Sequence, residues 1–150
     1  MRTFARPDDH AAILRRLAAL TPGHTRLWGR MTVHQAVCHM ADAFRMASGE
    51  LRVAGSARLH QRTLVKWIAL YAPLRWPAGI PTSPEIDQTA LAGTPPGDFA
   101  ADLAALCALA HAAAVPGPRA LHPIFGSLSE AAWLRWAWLH TDHHLRQFGA

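Results

Sequence analysis

The chain has 150 residues, 51% of them hydrophobic and 17% charged, with a formal net charge of +5. That length suits a single domain with a core of its own, and the composition excludes a disordered chain. The basic charge is almost wholly arginine and is scattered (Arg15, Arg16, Arg26, Arg30, Arg58, Arg62, Arg75, with Lys66 the only lysine). No basic block is interleaved with aromatic readers, which argues against nucleic-acid recognition.

Residues 1–20 contain Asp8, Asp9, Arg15 and Arg16 and do not read as a signal peptide. The most apolar stretch, 64–80, is broken by Lys66, Pro73, Arg75 and Pro77, too often to span a bilayer. Cys38 and Cys107 lie far apart and outside any CxxC pattern. They read as small buried hydrophobes in a reducing compartment. The expectation is a cytoplasmic protein without a membrane partner.

Alanine and leucine dominate and β-branched residues are few, a bias toward helix. A first helix is capped by Asp8 or Asp9 and runs to about Leu20, with Ile13, Leu14, Leu17 and Leu20 on one stripe. A second opens at Thr32, where Thr32 and Gln35 have capping-box spacing, carries Ala36, Met40, Ala43 and Ala47 inward, and ends at Gly49. A third covers 57–71, with Leu64, Trp67, Ile68 and Tyr71 buried and Pro73 as its stop. A long Pro- and Gly-rich loop, 77–98, comes next, of the kind that borders functional cavities. Glu85 and Asp87 are its carboxylates. A fourth helix runs from Asp98 to about Val115, with Leu103, Leu106, Cys107 and Ala110 inward, until Pro116 and Pro118 break it. Ser127 and Glu130 offer a second capping box, and the last helix extends from about Ser129 to Gln147 before Gly149. One short leading helix and four longer ones predict an all-α, single-domain chain: a four-helix bundle over 1–150 with an additional N-terminal helix.

Ten histidines are present. His10, His24 and His60 read as surface or turn residues, His111 as a residue of an Ala-rich helix, and His122 as a loop residue before Pro123. The segment 138–147 (WLHTDHHLRQ) differs. Residues four apart project from one helix face with Cβ atoms about 5–6 Å apart. His140 and His144 therefore match a chelating pair, each nitrogen about 2.0–2.1 Å from one ion. His140 with His143 is also sterically allowed, and spacing alone does not choose. The best third donor is His39, mid-helix beside the inward stripe. His34, about 140° round that helix, competes. Asp42 and Asp142 are candidates to orient an imidazole, Arg146 and Gln147 to touch substrate; Trp136 and Trp138 read as packing residues.

The pattern Trp28–Asp42 (WGRMTVHQAVCHMAD) resembles the first ligand helix of the DinB-like (DinB/YfiT-like) metalloenzyme superfamily. The ending His140–Gly149 (HTDHHLRQFG) resembles its last ligand helix, and His122–Gly126 (HPIFG) and Trp76–Ile80 (WPAGI) look like segments of one branch of it. The resemblance implies a four-helix bundle with a three-histidine site for one divalent ion (zinc, nickel or iron). By motif position it selects His39, His140 and His144, with His143 as a neighbour. Its relatives include thiol-dependent S-transferases and isomerases, and they often pair, which implies a homodimer and a small-molecule substrate, a thiol among the candidates.

Three neutral histidines leave a coordination position open, the mark of a catalytic rather than a structural site. The expected function is a metal-dependent enzyme performing hydrolysis or thiol-linked transfer on a small molecule. The alternative is a non-catalytic, metal-stabilised binding module. Because only neutral imidazole binds a metal, affinity should fall as pH drops through about 6.

Overall fold

The computed structural model describes residues 1–55, 61–80 and 82–150. Among the described residues five α-helices carry the fold: α1 (Pro7–Ala18), α2 (Val33–Ser48), α3 (Lys66–Tyr71), α4 (Phe99–Ala112) and α5 (Glu130–Gln147). A π-helical turn, Gln61–Val65, leads into α3, and 3-10 turns form at Pro84–Ile86 and Gln88–Ala90. Among the described residues there is no strand; one backbone bridge pairs His122 with Gly126. The all-α expectation holds.

Local chemistry sets most boundaries. Thr32 accepts from the Gln35 amide while the Gln35 side chain accepts from Thr32 N–H, so the expected capping box forms at α2. Gly49 closes that helix at φ 84°, a left-handed conformation that favours glycine. Asp98 caps α4 through Ala101 N–H.

Two expected caps are different. At α1 the helix begins earlier, with Arg6 as N-cap and Pro7 in the first turn, where a missing N–H is harmless. Asp8 and Asp9 fall inside that turn, and Asp9 instead accepts from Thr3 N–H. At α5 the cap is Ser129, bound to Ala132 N–H; Ser127 lies too far upstream of the first turn to pair with Glu130 as a capping box.

α2 packs on α4 and α5, α1 packs on the same two helices, and α3 packs on α5. α5 is thus covered on most of its circumference, and Trp133, Trp136, Ala137, Leu139 and Leu145 are all buried. Burying polar groups among them requires partners. Thr141 returns its hydroxyl to the Ala137 carbonyl, and buried Arg135 donates to Leu70 O at 2.9 Å and to Arg2 O. Leu70 lies in the last turn of α3, so Arg135 satisfies a carbonyl that the short helix leaves open.

The third helix departs from expectation. Its first part, 57–60 including His60, lies outside the described residues. α3 itself is short, and α5 is the helix that covers it: Leu70 is buried, whereas Leu64 and Trp67 are 64% and 61% exposed, and Ile68 and Tyr71 are also exposed. A helix of under two turns packed on one neighbouring helix buries a single stripe. Its apolar residues on other faces stay in solvent or edge the cavity described below. No helix among the described residues is long and apolar enough to cross a membrane.

Candidate metal centre

α2 and α5 bring three imidazoles together. His39 Nε2 lies 3.3 Å from His140 Nε2, and the His144 ring sits 4.8 Å from that of His39 and 4.7 Å from that of His140, centroid to centroid. The donor atoms of the three all fall within 4.8 Å of one another, so this group is able to hold a metal ion. All three side chains lie on the wall of one cavity.

The outward ring nitrogens decide which atoms face the centre. His39 Nδ1 donates to the Ile86 carbonyl at 3.0 Å, which leaves Nε2 as a lone pair. Gln147 Nε2 donates to Trp28 O at 3.1 Å, so the Gln147 oxygen must face His144, whose Nδ1 donates to it at 3.1 Å. His144 Nε2 is then also a lone pair. This is how histidine ligands are commonly held: the far nitrogen gives its proton to a fixed acceptor, and that sets tautomer and ring orientation. Trp136 stacks face to face on His140 at 4.8 Å and 13°, fixing that ring by packing.

Burial keeps these rings neutral. It pushes the pKa values of His140 and His144 well below the ordinary value, and neighbouring histidines push them further. Burial lowers His39 too, partly offset by its hydrogen bond to Ile86 and by the charge of Asp42. Neutral imidazole is the form a cation requires.

The cavity has a volume of about 880 Å³. Trp28, Trp76, Trp136, Met31 and Ile124 give it apolar walls. Val65, Ile68, Leu74 and Ile80, all partly or largely exposed, line it as well. The 77–98 loop borders it through Pro77, Gly79, Ile80, Ser83, Pro84, Ile86 and Asp87, in line with the expectation from its composition.

His143 is buried beside the triad but outside it. Its ring packs on Trp28 at 4.7 Å and Trp76 at 6.0 Å, and burial draws its pKa down to about 4. His34 is not a third ligand, because it turns to α4 and bonds Asp102 at 2.7 Å. Gln147 acts on His144 as described.

Asp42 corrects the sequence reading: it touches no imidazole. It is fully buried and accepts from Thr94 N–H at 2.7 Å, Thr94 Oγ1 at 2.6 Å and Arg45 at 3.0 Å, which straps the 77–98 loop to α2. Asp142 pairs with Arg16 and Arg146, so neither Asp142 nor Arg146 reaches the cavity chemistry. Glu85 accepts from Ala54 N–H, and Asp87 caps the turn at Thr89. Trp138 packs against Arg2 and Arg135, as expected, whereas Trp136 is part of the cavity wall.

Two features carried no sequence signal strong enough to find them. The Ile86 carbonyl that orients His39 is a backbone group 47 residues away. Gly29, at φ 81°, leaves room for the Gln147 amide, which a Cβ there would strike. His122, read as a loop residue, is in fact buried in the cavity wall. Its Nδ1 accepts from Ile124 and Phe125 N–H, so its proton sits on Nε2, and burial holds its pKa down to about 3. The His-Pro-Ile-Phe-Gly motif was the available clue.

Cys38, next to His39, faces the opposite way. Burial, then the Asp102 carboxylate, push its thiol up to about 12, so it is not a ready nucleophile. Cys107 is also free.

The chain belongs to a family described as proteins of unknown function (DUF1569), whose family model matches residues 5–150. No curated protein and no solved structure matches it.

Proposed function

We propose that this chain is a metal-dependent enzyme of the DinB-like type, a four-helix bundle with α1 as an added N-terminal helix. In this reading it holds one divalent ion on His39, His140 and His144 and performs hydrolysis or thiol-linked transfer on a small molecule. The observation that carries the reading is the convergence of three buried imidazoles on the wall of a cavity of about 880 Å³, with no carboxylate or thiol in the group. A closed structural site would have a fourth protein donor.

The donor set fits such an ion, because His39 and His144 each give their Nδ1 proton to a fixed acceptor and keep Nε2 free. Imidazole suits zinc, nickel and iron alike. Bound there, the ion would lower the pKa of a water or thiol, or polarise a carbonyl. The chain's own residues do the rest. Ile86 and Gln147 hold two rings in register. Trp28, Trp76 and Trp136 exclude water and favour an apolar substrate body. A cytoplasmic homodimer belongs to the same proposal.

The test is metal analysis of untagged protein by mass spectrometry, with two assays: hydrolysis of p-nitrophenyl acetate and conjugation of glutathione to an aryl halide. The proposal expects His140→Ala to lose one ion per chain relative to the unsubstituted protein, and metal-dependent turnover with it. Unchanged metal content in His140→Ala would overturn the site. An ion that raises thermal stability but supports neither reaction would favour the non-catalytic binding module.

A further inference from the structure

α2 has a second donor face. His34 and Cys38 are four residues apart on it, so they share a side, and that side meets the first turn of α4. There Asp102 acts as a hub. Its Oδ2 accepts from His34 Nε2–H at 2.7 Å, from the Cys38 thiol at 3.7 Å and from Gly97 N–H at 2.9 Å. One imidazole, one thiol and one carboxylate thus place their donor atoms within 4.8 Å of one another.

We propose that His34, Cys38 and Asp102 form a second divalent-metal site, separate from the three-histidine centre and selective for a thiophilic ion of the zinc class. Three observations support it. A tetrahedral ion with nitrogen, oxygen and sulfur donors at about 2.0–2.3 Å holds them roughly 3.3–3.7 Å apart. The thiol–carboxylate separation already matches, and the imidazole need only withdraw a little from the carboxylate. Gly97 N–H donates to the same carboxylate oxygen and holds it in place, the kind of support that ligating carboxylates have. The site is reachable: the His34 and Asp102 side chains keep 23% and 26% of their exposure, which leaves a fourth position for water, while Cys38 is buried behind them. Binding balances as an exchange: a sulfur–metal bond forms as the S–H bond breaks and that proton leaves to water, while His34 moves its Nε2 proton to Nδ1 and frees the Nε2 lone pair for the nitrogen–metal bond. No electron moves. The ion would clamp α4 to α2, and its sulfur donor distinguishes it chemically from the all-nitrogen centre on the other side of the same helix.

That difference supplies the test. Metal-free full-length protein is titrated with cobalt(II), and the near-ultraviolet sulfur-to-cobalt charge-transfer band is tracked together with bound cobalt per chain. The expected result is a charge-transfer band that saturates with one equivalent, total uptake of two, and loss of the band with one ion in Cys38→Ala and in Asp102→Asn. Cys107→Ala keeps it. The double variant His140→Ala/His144→Ala isolates the second site and is expected to retain the full band at one equivalent. If that variant does not fold, the comparison of the unsubstituted chain with Cys38→Ala, two ions against one, decides the matter. No charge-transfer band in the unsubstituted protein, or a band that survives Cys38→Ala, overturns the proposal. Failure of the three-histidine reading gives a different result: the band is present but total uptake is one, and His144→Ala changes nothing.

Discussion

The two clusters that meet α2 use the same spacing rule to opposite effect. His140 and His144 on α5, four apart, meet His39 in a buried group on the wall of a cavity lined mainly by aromatic and aliphatic residues. His34 and Cys38 on α2, also four apart, meet a carboxylate at a partly exposed helix junction. Spacing says only that two side chains share a face. What they become depends on the partner helix: one face gains a third imidazole and a cavity, the other gains Asp102 and an interhelical tether.

The sharpest separation between the faces is ligand loss. His144→Ala is expected to weaken metal binding at the triad by more than the roughly 10–100-fold that attends loss of an outer hydrogen-bond partner. His143→Ala, one residue away, should leave it within a few-fold. Competition titration with a chelating dye on both variants checks this. If His143→Ala loses the ion and His144→Ala keeps it, the buried face has been assigned to the wrong ring.

Acid distinguishes the faces next. His122 and His143 have folded pKa values of about 3 and about 4, below the unfolded value near 6.5. The unfolded chain therefore binds more protons than the folded one as pH falls. The stability these neutral rings represent is complete above about 6.5 and is lost progressively toward their folded pKa values, at about 1.4 kcal/mol per pH unit for each ring. His39, His140 and His144 shift in the same direction. Urea unfolding of metal-free protein between neutral pH and pH 5 should show the loss, and His143→Phe should make it shallower. The same depression lets the triad hold its ion to a lower pH than the value near 6 expected from unperturbed histidine. Metal release centred at or above pH 6.5 would contradict the burial argument.

Gln147→Ala removes the acceptor for His144 Nδ1 and should reduce metal affinity by about 10–100-fold without changing the ligand count. Gly29→Ala, which drives a Cβ into the Gln147 amide, should act in the same direction through the same ring. Equal affinity in both variants and the parent would mean that packing alone orients His144.

The smallest effect belongs to the open face. With no ion bound, the His34–Asp102 pair is partly solvated, so His34→Ala should cost only about 0.2–1 kcal/mol in thermal or denaturant unfolding. A larger loss in metal-free protein would mean that this junction contributes to folding without any ion.

Much of the architecture was legible because it is local. The α2 cap at Thr32 and Gln35, the stop at Gly49 and the chelating spacing of His140 and His144 are set by backbone dihedrals and by hydrogen bonds reaching three or four residues. Where two local signals competed, the sequence misled: Ser127 and Glu130 have box spacing, but Ser129 sits at the actual helix start. The apolar residues of 64–71 look like a core stripe, and no local rule reveals that, among the described residues, α5 is the main helix that arrives to cover them.

The partners were decided by tertiary structure. Whether His39 or His34 joins the α5 pair depends on which face of α2 meets α5 and which meets α4. Asp42 looks like a companion of His39 three residues on, yet it is captured by Thr94, 52 residues away, and its charge holds a loop in place of a ring. The Ile86 carbonyl and Asp102 are likewise remote in sequence from the side chains they orient. A segment's own residues determine which groups it can offer and on which side, because that is helical geometry. Which acceptor stands opposite is settled only by packing the segments into one close-filled interior, where His39, His144 and Thr94 give their protons to whatever acceptors the surrounding helices and loops leave within reach.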